Sequence, residues 1–144
     1  MFTALLGALL IPLRPGLWRE IWAFERGLPA LLARPLPDAL AAITPPPDGA
    51  SAGSSIPLRL LCDTAALLDR RSPLGLCLRR SLTRYRFLRR AGLPLVLNFG
   101  ARFQNGLPDR AVTGHAWLTL HGQPYAERGE DYRGFTVLLR HPQP

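Results

Sequence analysis

The stretch "SPLGLCLRRSLTRYRFLRRAGLP", residues 72–94, opens a basic run with Cys77, one of two cysteines in the chain. A thiol is a useful nucleophile only as thiolate, and a helix N-terminus and a neighbouring imidazole are the usual means of lowering its pKa. "SPLG" ahead of Cys77 marks a helix start, so the thiol falls in or near the first turn, at the positive end of the helix dipole. The candidate imidazole is His115, in "GHAWLTLHG". Alternation predicts a strand there, with His115, Trp117 and Thr119 on one face and Ala116, Leu118 and Leu120 on the other. A helix-borne cysteine with a strand-borne histidine is a cysteine-protease or transglutaminase arrangement. The free amides of the first turn, beginning with that of Cys77, then suit a developing oxyanion. Cysteines and histidines also occupy such places as plain structural residues, and spacing leaves both readings open.

The other candidates are weaker. Cys62 falls on the apolar stripe of "SIPLRLLCDTAALLDRR" with Leu58, Leu61, Ala65 and Leu68, and reads as a small core residue. His121 belongs to a hairpin turn and His141 to the tail, both solvated. Cys77, His115 and His121 lack the paired C-x-x-C or H-x-x-x-H spacing of a metal site. Trp117 either lines an acyl site or packs in the core.

These residues need elements to position them. Trp18, Ile21, Trp22 and Glu25 recur at helical spacing, the first three as an apolar stripe, so residues 16–34 form an amphipathic helix that Pro29 interrupts or ends. A short helix follows Pro37 through "DALAAI". A third helix starts at Ser55 and Pro57. The Cys77 helix has Leu78, Leu82, Tyr85 and Leu88 or Arg89 inside, Arg79, Arg80, Arg84, Arg86 and Arg90 facing largely outward, and a stop at Gly92 and Pro94. Residues 93–103 read as a strand, "QNGLPDRAV" as a loop, Gly122 as a tight turn after the His115 strand, and "PYAE" and "GFTVLLR" as two further strands. Helices followed by an antiparallel meander make an α+β protein. The Pro/Gly/Ser-rich stretch 44–55 reads as a linker between a helical segment, 1–43, and a core, 56–144, within one compact domain overall.

The 144 residues allow one domain, and 47% hydrophobic content is a folding composition. The formal net charge is +8, and all 18 basic residues are arginine. Eight of them lie between Arg70 and Arg90, which suits either an acidic partner or a solvated helix face. No nucleic-acid motif accompanies them, so a nucleic-acid partner is not expected. "MFTALLGALLIPL" is too short for a transmembrane span of roughly 20 residues and lacks the basic start and cleavage site of a signal peptide. It reads as a core or partner-docking helix of a cytoplasmic protein with reduced thiols.

"CLRRSLTRYRFLRRAGLPLVLNFGARF" followed by "GHAWLTLHGQPYAE" resembles the transglutaminase-like cysteine proteases of lasso-peptide biosynthesis, the leader peptidases related to the C-terminal part of the microcin-processing enzyme. The resemblance is close over residues 56–128. It implies a transglutaminase/papain-like fold with Cys77 as nucleophile and His115 as general base, then acid. It places a third, acidic member about 12 residues after the histidine, where this chain has Glu127 instead of the family's usual aspartate; Asp131 is the fallback. The implied reaction cuts the leader from a ribosomally made precursor and needs no cofactor or metal. The implied partners are the precursor, a separate leader-recognition protein and an ATP-dependent cyclase. The alternatives are a non-catalytic peptide-binding scaffold of the same fold, or acyl transfer to an amine through the same triad.

Overall fold

The computed structural model describes residues 2–45, 55–103 and 112–143. Most of the expected linker, residues 46–54, and nearly all of the loop before the His115 strand, residues 104–111, lie outside the described residues. The chain divides into two compact units, 1–93 and 94–144.

The first unit is helical: α1 (Phe2–Leu10), α2 (Pro15–Leu32), α3 (Leu36–Ile43), α4 (Ile56–Leu68) and α5 (Leu76–Arg90), with a 3-10 turn at Ile11–Leu13. α2 runs through Pro29 instead of ending there. The proline gives up one helical bond, but Leu28 beside it is fully buried and Ala33 still donates to the Pro29 carbonyl. α1 packs against α4 through Gly7, where a Cβ would collide with Thr64 Oγ1 and come 2.7 Å from the Leu60 carbonyl. Leu5, Leu9 and Leu13 are left exposed.

α5 is the central helix, packed on α2, α3 and α4. Its Phe87 joins Ile21, Leu61, Cys62 and Ala65 in the core. Fully buried side chains such as Leu61, Leu82 and Leu88 each contribute about 1.5–3 kcal/mol. Leu68, placed on the α4 stripe by periodicity, is about half exposed because α4 ends there. Gly92, at φ 104°, stops α5: its N–H donates to Arg89 O and that of Leu93 to Leu88 O, a Schellman closure.

One expectation fails on α5. Arg79 and Arg84 are buried rather than outward. A helix touched by three others has little free perimeter, and each of these arginines meets a carboxylate on a neighbour.

The second unit is a four-stranded antiparallel sheet of β1 (Leu95–Phe103), β2 (Val112–Leu120), β3 (Gln123–Pro124) and β4 (Thr136–His141), with a one-turn helix α6 (Gly129–Tyr132). The order is β3-β2-β1-β4, so the last strand returns to β1 instead of extending a meander. β3 has only two residues and offers no ladder for it. The β2–β3 loop is two residues, His121 and Gly122, both at positive φ, as a type I′ hairpin turn requires. The alternation expected for β2 holds: Asn98 pairs with Trp117 and Gly100 with His115, while Leu97 pairs with Leu118. With its helices and small antiparallel sheet, the protein is α+β. Among the described residues no helix is long and apolar enough to cross a membrane.

Candidate active site

Cys77 is the second residue of α5. Gly75 precedes the helix in extended conformation, and no side chain caps it. The first intrahelical bond is Arg79 N–H to Gly75 O at 3.1 Å, so the amides of Leu76, Cys77 and Leu78 have no helical carbonyl to bond. Cys77 is half-buried and in no disulfide. Cys62 is fully buried, with its thiol 3.8 Å from Thr83 O. Burial, reinforced by the neighbouring Asp63 carboxylate, pushes the Cys62 thiol well above the ordinary thiol range. The two cysteines are thus chemically distinct, as the stripe position of Cys62 suggested.

The turn between α4 and α5, ahead of Cys77, is tied at both ends. At its start Arg26 donates to Asp69 at 3.1 Å. Near its end Arg79 Nε donates to Leu74 O at 3.0 Å, while its Nη1 donates to Ala66 O on α4 and to Glu25 Oε1 on α2 at 3.2 Å. Glu25 is fully buried, and its Oε2 accepts from Thr83 Oγ1 at 2.5 Å. Burial pushes the Glu25 carboxyl above the ordinary carboxylate range, against the pull of Thr83 and Arg79 in the other direction. The signal was present in the sequence: Glu25 falls at i+4 from Ile21 on the apolar stripe, where a solvated glutamate has no place.

In the sheet unit, His115 stands on β2 among aromatic rings. Its imidazole stacks on Trp117, with centroids 5.7 Å apart and planes 15° apart, and lies 5.3 Å from the ring of Phe135. Tyr132 of α6 lies 6.5 Å from the Trp117 ring, and the Arg102 guanidinium sits 4.5 Å over Phe135. Gly100 makes this arrangement possible. A Cβ there would come within 2.9 Å of the Trp117 ring and 3.0 Å of Thr136 O. Phe135 and Gly100 escaped notice in the sequence because both reach His115 only through strand pairing.

Glu127 does not lie on a returning strand. β3 ends at Pro124, and Glu127 occupies the loop before α6, half-buried, after Ala126 at φ 51°. Asp131 falls within α6. His121 is exposed in its turn, as expected, but His141 ends β4, paired with Leu97 and half-buried, rather than lying in a solvated tail. His115, Glu127 and Asp131 therefore belong to the sheet unit and Cys77 to the helical unit.

Residues 26–140 match the transglutaminase-like superfamily, and the chain belongs to it. No curated protein and no solved structure matches the chain.

Proposed function

We propose that this protein is a cysteine peptidase that removes the leader from a lasso-peptide precursor, with Cys77, His115 and Glu127 as its catalytic residues. The observation that carries the reading is the contrast between the thiols: Cys77 occupies an uncapped first turn within reach of solvent, while Cys62 is sealed in the core. Membership of the transglutaminase-like superfamily fits thiol chemistry on peptide carbonyls. The motif resemblance over residues 56–128 supplies the narrower substrate.

In this mechanism the Cys77 thiol gives its proton to His115, and the sulfur attacks the scissile carbonyl. The oxyanion that forms is stabilised by first-turn amides of α5. His115 returns the proton to the departing amine, leaving a thioester on Cys77. Water, deprotonated by His115, cleaves the thioester and frees the thiol. Glu127 orients the imidazole, and Asp131 is the alternative for that role. A leader-recognition protein presents the substrate, and the cyclase closes the released core in a separate ATP-dependent step. We place these steps in the cytoplasm, where thiols stay reduced.

The test is mass spectrometry of a precursor incubated with the protein and its leader-binding partner, beside Cys77→Ala. One cleavage that adds water and vanishes in the variant is the expected result. A product carrying an added amine would assign acyl transfer instead. An intact precursor, with Cys77 alkylated by iodoacetamide no faster than Cys62, would leave a peptide-binding scaffold.

A further inference from the structure

We infer that Arg79 is the positioning residue for the Cys77 thiol: by joining Leu74 O to Ala66 O and the buried Glu25, it sets where the first turn of α5 stands. The inference rests on the reading of Cys77 as the nucleophile.

Arg79 follows Cys77 by two residues, and Leu74 precedes it by three. One guanidinium therefore grips the chain on both sides of the thiol. Nε holds the incoming turn at Leu74 O, 3.0 Å away, and Nη1 holds α4 at Ala66 O and α2 at Glu25, 3.2 Å away. Leu74 is fixed again through its own N–H, which donates to Ser72 Oγ at 3.2 Å. Gly75, between Leu74 and the helix, has open space around it and would otherwise leave the turn free to shift. A helix without a side-chain cap relies on its preceding turn to aim its first amides, and here that turn is held by Arg79.

A buried arginine–glutamate pair is a poor source of stability, since desolvating both ions costs about as much as their attraction returns. A planar fork with several donors is, however, the one side chain able to bond two carbonyls and a carboxylate together. Lysine in its place keeps the charge and loses that geometry.

Arg84 supplies an internal control. It is as buried as Arg79 and held by a carboxylate, Asp63, at two points rather than one, but it stands about one and a half turns further along α5. If the buried cations serve stability alone, the two lysine variants leave the same Cys77 profile, whatever each costs in melting temperature. The full chain, Arg79→Lys and Arg84→Lys are compared by thermal melting, by the pH profile of Cys77 alkylation with iodoacetamide, and by precursor cleavage. Both variants should melt lower. Arg79→Lys alone should lose kcat on the order of 10–100-fold at little-changed KM and show a displaced Cys77 alkylation profile. Equal Cys77 profiles in the two variants would overturn the inference. Should Arg79→Lys fail to melt cooperatively, Glu25→Gln, which keeps the arginine and weakens its anchor, carries the same comparison, and an unchanged profile there overturns it too. If the unaltered protein cleaves no precursor, the peptidase reading falls, while the alkylation profiles still decide the role of Arg79.

Discussion

Arg84 and Asp63 meet in a two-point bridge, Nε to Oδ1 at 2.6 Å and Nη2 to Oδ2 at 2.8 Å, with both side chains almost wholly out of water. Together with Arg79 on Glu25, this bridge turns part of a basic run into cross-links between α5 and its neighbours. Arg90 belongs to the same pattern at the surface, where it pairs with Glu20 of α2 and holds that carboxyl below its ordinary range. Arg80 and Arg86 remain half-buried on the same helix. Charge reversal at Arg79 or Arg84 would set buried like charges against each other, so its effect on a partner would be confounded by destabilisation of the helical unit.

Cutting the bridge on one side should be severe. Arg84→Ala or Asp63→Ala strands a buried charge and is expected to cost about 3–5 kcal/mol in urea unfolding. Replacing both with apolar residues, Asp63→Leu with Arg84→Met, should restore most of the loss or exceed the original stability. A double variant as weak as the single ones would mean that the bridge supplies net stability.

Gly100→Ala probes the sheet unit. Its methyl group has to displace the Trp117 ring or the Thr136 carbonyl, a strain of about 1–3 kcal/mol. Because Trp117 stacks on His115, cleavage should fall along with the melting temperature, and tryptophan emission should shift. Trp117→Phe shortens the ring at the crowded point, so the double variant should recover part of both. Unchanged cleavage by a less stable Gly100→Ala would separate the stack from catalysis.

Glu25 makes a prediction in pH. Its folded-state pKa stands above the ordinary 4.5, so the folded chain holds this proton more tightly than the unfolded chain does. Its contribution to stability is then fully present below about pH 4.5 and is lost as pH rises through the elevated folded value. Relative to Glu25→Gln, the unaltered protein should lose stability over that rise, as read by urea midpoints at several pH values. The opposite trend would show that Arg79 and Thr83 outweigh burial.

Much of the fold was written in short-range patterns. The helix stop at Gly92, the tight turn at Gly122, the burial of Cys62 and the two faces of the His115 strand all follow from local periodicity and backbone sterics, which act within a few residues. The α+β class follows from the order of those patterns. The place of Cys77 at a helix start was legible for the same reason. Tertiary structure decided what depends on distant neighbours. Nothing local to α5 says that Arg79 will face Glu25, more than fifty residues earlier, or that Arg84 will face Asp63. An arginine run looks solvated until the carboxylates that neutralise it are brought alongside. Strand pairing likewise chose Gly100 as the residue beneath Trp117, sent β4 back to β1, and ended β3 too soon to carry Glu127. A sequence ranks burial by side-chain type; only packing supplies the partners that let a charge be buried or an aromatic ring lie flat.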